Sequence, residues 1–239
     1  MAGVASQALM RLWKSFCYVL GLLFIALLLY QVWFAVHVWY WAGHNPQHTS
    51  FMQTRLEQLH EKDPKATLKH QWTSYPRISD ALKRAVIVAE DAKFSEHDGF
   101  DWEGIQKALG KNQKRGKVVA GGSTISQQLA KNLFLSGEKS LWRKGQEALI
   151  TWMLETLLDK ERILEIYLNV AEWGNGVFGA EAAARHYYNV SAAGLSTDQA
   201  AMLAAMLPRP LYYDHNRDSR FLQRYSETIR ARMPSAQLP

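Results

Sequence analysis

Cysteine is almost absent from this chain of 239 residues: Cys17 stands alone. One thiol closes no internal disulfide and builds no zinc site. It lies inside an apolar run, where it reads as a small hydrophobe facing lipid or a neighbouring helix, and it carries no redox information. Charge is missing over one long stretch, with no Lys, Arg, Asp or Glu from Ser15 to Thr54. A second gap is one-sided: no acid occurs between Glu103 and Glu138. Strand–helix alternation and internal repeats are absent and period-2 apolar runs are scarce, which excludes a doubly wound sheet and leaves a mainly α fold class.

What is present supports a packed core, with 48% hydrophobic and 21% charged residues. The net charge of +6 suits an anionic partner such as phosphate, nucleic acid or an acidic membrane surface, although mild basicity by itself also keeps a protein soluble. The first uncharged stretch has an almost wholly apolar core, Phe16 to Val36, and about 20 such residues cross a hydrocarbon layer as a helix. Trp33, Phe34, Trp39, Tyr40 and Trp41 gather at its far end, where aromatic rings favour the interface. A cleaved signal peptide has a shorter apolar core and a small-residue exit, so the segment reads as an uncleaved signal anchor. Arg11 and Lys14 precede it and no basic residue follows until Arg55, which places the N-terminus in the cytosol. Those two are the only charges among the first 54 residues, so the remainder carries 26 basic against 22 acidic side chains, a net of +4. The expected organisation is a cytosolic N-terminus over 1–14, an anchor over 15–41, a polar stalk over 42–74 with a short helix at Phe51–His60, and a globular domain over 75–239.

Within that domain the spacing predicts helices over Ala81–Asp91, Ser123–Phe134, Leu141–Leu158, Glu161–Asn169, Gly179–Tyr188 and Ser196–Leu207, the last opening with a capping box at Ser196 and Gln199. Leu141–Leu158 is apolar nearly all round and is expected to be buried. The glycine-punctuated basic block Lys107–Lys117 reads as a solvated loop, or as a mobile flap beside an anionic site.

Three constellations could carry chemistry. Glu90-Asp91 closes an apolar helix, and Glu90 follows Val86 by one turn, on the edge of the buried stripe. Burial and the negative helix end both push a carboxylate pKa up, as a general base requires; a solvated acid pair in a turn is the plainer alternative. Next, Gly121 to Asn132 opens a helix behind two glycines, with Ser123 or Thr124 as cap. Ile125, Leu129 and Leu133 face inward, while Thr124, Gln128 and Lys131 form a second, polar stripe. Free N–H groups and a lysine there make a candidate phosphate cradle, against an ordinary capped surface helix. Finally, Arg143 and Lys144 lie one turn before Glu147 on an otherwise apolar helix, where a carboxylate needs partners. That is an i,i+4 ion pair or a second active-site acid flanked by phosphate-binding cations. Tyr167, Asn169 and the Gly174–Gly179 turn read as packing and backbone geometry.

At these residues the sequence resembles the family 51 glycosyltransferases, the peptidoglycan glycosyltransferase domain, and most closely their monofunctional members. Five blocks match in order: Glu90–Asp101, Gly122–Asn132, Arg143–Glu147, Ile163–Asn169 and Gly176–Tyr188. The resemblance covers roughly residues 70 to 215. It implies a lysozyme-like helical glycosyltransferase domain with a small membrane-facing jaw, acting on lipid II, the undecaprenyl-pyrophosphate disaccharide peptide, and on the nascent glycan chain. It further implies Glu90 as catalytic base and Glu147 as a second catalytic residue. Asp91, Phe94, His97, Ser123, Thr124, Gln127, Gln128, Lys131, Asn132, Arg143 and Lys144 would bind substrate. No protein metal site is implied, although a divalent cation, Mg or Mn, at the pyrophosphate is compatible with the family. Expected partners are the membrane and cell-wall synthesis or division proteins, with no nucleic acid. The expected location is the bacterial inner membrane, single-pass, with the catalytic domain in the periplasm.

The implied reaction suits the residues. The growing chain is the donor, the base takes a proton from the 4-hydroxyl of an incoming lipid II, and pyrophosphate leaves as an anion that cations can stabilise. A lysozyme-type hydrolase would instead need two carboxylates and no cation cluster. A bifunctional penicillin-binding protein would need Ser-x-x-Lys, Ser-x-Asn and Lys-Thr-Gly; only the first occurs within these residues, at Ser136–Lys139. A catalytically silent scaffold would not need Glu90, Lys131 and Glu147 together.

Overall fold

The computed structural model describes residues 2–116, 121–135 and 140–239. Lys117 of the basic block and the Ser136–Lys139 tetrapeptide lie outside the described residues. Among those described the chain is mainly α, as expected. Helix α1 (Ala2–Tyr40) leads to α2 (Ser50–His60), strand β1 (Lys69–His70), α3 (Asp80–Glu90), α4 (Trp102–Arg115), α5 (Ile125–Phe134), α6 (Leu141–Leu157) and α7 (Lys160–Val170). A hairpin of β2 (Glu172–Gly174) and β3 (Val177–Phe178) follows, and α8 (Ala180–Tyr188), α9 (Thr197–Met206), α10 (Pro210–His215) and α11 (Arg220–Arg232) complete the fold.

Within α1, the 29 residues Leu12–Tyr40 are long and apolar enough to cross a membrane. They span roughly 43 Å against a hydrocarbon core of ~30 Å, so the helix has length to spare at its C-terminal end. That end docks on the domain. Phe34 and Val38 are fully buried, and Trp33, Phe34, His37 and Trp41 surround Phe134 with ring centroids at 6.0, 5.1, 6.5 and 5.0 Å. The Gln31 and Gln146 side chains exchange two amide hydrogen bonds, of 2.9 and 3.0 Å. No proline or cap separates residues 1–14 from the anchor, and the helix runs through the expected boundary at 15.

The segment expected as a stalk over 42–74 keeps many polar residues exposed, and several others pair specifically with the domain. Buried Thr49 caps α2 at Met52 N, and α2 packs against α5. Arg55 holds Glu172 through Nε–Oε1 (2.6 Å) and Nη2–Oε2 (2.9 Å). β1 pairs parallel with β3 in a sheet ordered β1-β3-β2. Asn169, fully buried, accepts from Thr73 N (2.8 Å) and donates to Thr73 O (2.9 Å). Gly179, at φ +87°, lets the hairpin fold back, because a Cβ there would stand 2.7 Å from Asn169 O.

The core forms where α3 packs on α9 and α11 and where α5 packs on α6 and α7. Leu82, Val86, Ile125, Leu129, Ile163, Ile166 and Leu203 are buried there. Ala200, Ala201, Ala204 and Ala205 of α9 are buried as well, and their small side chains let the neighbouring helices approach closely.

Two expectations about helices fail. The basic block is helix α4 as far as Arg115, not a loop. Asp101 caps it at Gly104 N (2.9 Å), Gly116 ends it at φ +61°, and Gly110 costs only about 1 kcal/mol of propensity. Helix α6 is not buried all round: Leu141 (92% exposed), Trp142 (67%) and Trp152 (60%) stand outward. Apolar composition does not distinguish a neighbouring helix from lipid. α6 packs against both the anchor α1 and α5 and turns its remaining apolar face out.

Candidate functional site

Helix α3 ends at Glu90, and Asp91 leaves the helical path at φ −162°, ψ 76°. Glu90 therefore sits at the negative helix end, beside the buried stripe. Its Oε2 accepts a hydrogen bond from Gln128 Nε2 at 2.7 Å, and its buried Oε1 has no partner among the described residues. Burial raises its pKa above the ordinary glutamate value; Gln128 and Lys131 oppose the rise, and the Asp91 charge adds to it. Gln128 is itself held, its Oε1 accepting from the hydroxyl of buried Tyr167 at 3.1 Å.

Asp91 is buried and fully engaged. Its Oδ1 meets His97 Nε2 at 2.9 Å, and its Oδ2 accepts from Ile125 N at 3.1 Å. Gly99 N donates to His97 Nδ1 (3.1 Å), so the network assigns the imidazole proton to Nε2, which donates to Asp91. Thr124 caps α5 by accepting from Gln127 N (3.2 Å), and its hydroxyl donates to Gly99 O (2.7 Å). Buried Gln127 returns the capping box by accepting from Thr124 N (3.0 Å). At the start of α5, expected to offer free N–H groups to a phosphate, the Ile125 and Gln127 N–H groups are thus taken by the protein's own Asp91 and Thr124.

The site residues expected from the sequence therefore divide. Phe94 is fully buried beneath Lys160, whose Nζ stands 4.6 Å from the ring centroid, so it supports the site from the core instead of lining it. Asp91, His97, Thr124 and Gln127 tie α3 to α5, and Asn132 is buried. Ser123 stays exposed in a cleft of about 580 Å³ that also takes in Glu90, Lys111, Gly122, Tyr225 and Arg232.

Beyond Glu90 along the polar stripe of α5 lies Lys131. Its pKa is lowered by burial first; Glu147 and Glu90 oppose that effect, while Arg143 and Lys144 reinforce it. Lys131 thus feels both carboxylates and both neighbouring cations. Glu147 is buried with both oxygens committed: Oε2 accepts from Arg143 Nη1 at 2.9 Å, and Oε1 accepts from Lys144 Nζ. Arg143 Nε is buried with no partner among the described residues. Arg143 also lines a second hollow of about 470 Å³ with Tyr30 of α1, Gln53 and Glu57 of α2, and Trp142 and Gln146 of α6.

Among the described residues no three His, Cys, Asp or Glu side chains converge as a metal site. The oxygens of Asp91 and Glu147 each already carry one hydrogen bond or ion pair.

Sequence reasoning missed Tyr167, Tyr225 and Arg232. Tyr167 sits on the buried face of α7, where spacing cannot separate a packing tyrosine from a hydrogen-bonding one. Tyr225 and Arg232 belong to an ordinary amphipathic pattern far along the chain, and only tertiary packing brings them to Glu90.

A transglycosylase family model matches residues 55–234. The chain is similar to proteins named biosynthetic peptidoglycan transglycosylase. That of Methylobacillus flagellatus is 61% identical over 215 residues, 90% of this chain and 94% of that protein. That of Dechloromonas aromatica is 62% identical over 212 residues, 89% and 92%. That of Chromobacterium violaceum is 58% identical over 221 residues, 92% and 97%.

Proposed function

This chain belongs to the transglycosylase family, and on that premise we infer that it is a peptidoglycan glycosyltransferase with a lysozyme-like helical domain, polymerising lipid II into glycan strands. The observation that carries the reading is the pairing of one unpartnered buried carboxylate oxygen, Glu90 Oε1, with a cluster of three cations, Lys131, Arg143 and Lys144, gathered around Glu147.

The 4-hydroxyl of an incoming lipid II donates to Glu90 Oε1, which takes its proton. The oxygen attacks the anomeric carbon of the growing chain, a new glycosidic bond forms with inversion, and the bond to pyrophosphate breaks. The electron pair leaves with undecaprenyl diphosphate. Lys131, Arg143 and Lys144 meet that charge as it develops, in place of a general acid. Glu147, with both oxygens held by cations, orients Arg143 and Lys144 and has no free oxygen for activating water, which argues against two-carboxylate hydrolysis. A divalent cation taking part would be carried by the pyrophosphate oxygens, and no step above needs one.

The anchor puts the domain beside its lipid substrate, and the exposed Trp142, Leu149 and Trp152 of α6 give it an apolar face for the bilayer surface. Arg11 and Lys14 before the span orient the N-terminus toward the cytosol, which sets the domain on the periplasmic side of the bacterial inner membrane. Purified full-length chain supplied with labelled lipid II should yield polymer and released undecaprenyl diphosphate; cleavage of finished glycan without polymer formation would overturn the reading.

A further inference from the structure

We propose that Tyr167 and Gln128 are positioning residues for the base: Tyr167 fixes the orientation of the Gln128 amide, and Gln128 fixes the Glu90 carboxylate so that Oε1 alone faces the substrate. The proposal rests on Glu90 acting as base and adds a positioning role to Gln128, which the family resemblance implies as a substrate-binding residue.

The chain of contacts has one consistent polarity. A fully buried tyrosine whose pKa is held well above its ordinary value, by burial first and then by the Glu90 and Asp91 charges, keeps its proton and donates it. It therefore fixes Oε1 of Gln128 as the acceptor (3.1 Å). The amide NH2 is then turned toward Glu90 and meets Oε2 at 2.7 Å. An ionised carboxylate only accepts, so the reverse orientation would set two acceptors against each other. With Oε2 bound, the buried Oε1 is the remaining basic position. A neutral amide does this without placing a positive charge in contact with the base, which would depress its basicity. The other groups near this carboxylate are Asp91 of the same segment, Lys131 of α5 and Tyr225 of α11, with Lys111 and Arg232 lining the same cleft.

The test is the rate–pH profile of lipid II polymerisation for full-length Tyr167→Phe and Gln128→Met. Gln128→Met loses the hydrogen bond to a charged group and should move the acid limb of kcat to higher pH by about one to two pH units, and Tyr167→Phe, which only frees the amide to turn, should move it the same way by less. At neutral pH kcat should fall accordingly, while KM for lipid II stays within about twofold. A variant that only loosened packing would lower thermal stability without moving the limb. A folded variant with the parental limb overturns the proposal. Should Tyr167→Phe fail to fold, Gln128→Met decides alone, because Gln128 is only half-buried. Glu90→Gln separates the two levels: if it loses the limb while Gln128→Met keeps it, the relay is wrong and the base stands; if it keeps the limb, the base assignment itself fails.

Discussion

Glu90 and Glu147 are both withdrawn into the domain, and their surroundings differ in kind. Among the described residues, Glu90 has one neutral amide on one oxygen and no partner on the other. Glu147 has a guanidinium on one oxygen and an ammonium on the other. Burial alone therefore does not assign a role. A buried carboxylate with a vacant lone pair is poised to take a proton, whereas one saturated by cations holds those cations in place. On the proposed reading the two regions divide the reaction between them: proton removal at the end of α3, and charge stabilisation by Lys131 of α5 with Arg143 and Lys144 of α6.

The comparison can be broken most severely at Glu90. Glu90→Gln keeps the shape and removes the base, and the polymerisation rate should fall by roughly 10²–10⁴-fold with lipid II binding far less affected, as measured by steady-state kinetics and direct binding. Next come the cations. Lys131→Ala and Arg143→Ala should each cost on the order of 10²-fold in rate with the fold intact by circular dichroism, and Lys131→Arg should retain more activity than Lys131→Gln. Parental rates in both alanine variants would remove the donor-site assignment. Glu147→Gln should be milder and mixed, weakening donor binding together with rate, because its loss frees Arg143 and Lys144 instead of deleting a reacting group.

The smallest effect is on stability and has a defined sign. The folded pKa of Glu90 is raised, so its protonated form favours folding below the ordinary value of about 4.3. That contribution is lost as pH rises through the higher folded value, above which the ionised group opposes folding. Glu90→Gln should therefore raise Tm at neutral pH by about 2–4 °C for each kcal/mol relieved, and the gain should shrink on acidification. A lower Tm for Glu90→Gln at neutral pH would contradict the strained-base picture.

Much of the architecture was legible because it depends on local rules. The helix over Ala81–Asp91 was marked by its apolar spacing and the capping box at Ser196 by its glutamine three residues on, while the α5 cap was narrowed to Ser123 or Thr124, of which the structure uses Thr124. Spacing singled out both glutamates and all three cations as candidates only, with an acid pair in a turn, an ordinary capped helix and a surface ion pair as equal readings, and the family resemblance chose between them. What stayed hidden depends on distant partners. The presumed stalk held Arg55 and Thr73, whose partners Glu172 and Asn169 lie about a hundred residues away. The helix start read as a phosphate cradle was filled by Asp91, a residue 34 positions earlier than Ile125. The outward face of α6 was misread because an exposed leucine and a core leucine are identical in sequence.

The central claim is that Glu90, not Glu147, carries the proton, and the acid limb of kcat measured on parent, Glu90→Gln and Glu147→Gln with lipid II tests it most directly. The parent should lose activity below a pKa lying above that of a free glutamate, Glu147→Gln should keep that limb at a reduced rate, and the residual rate of Glu90→Gln should no longer follow it. A Glu90→Gln enzyme within a few-fold of the parent and retaining the limb, alongside an inactive Glu147→Gln, would reverse the two roles.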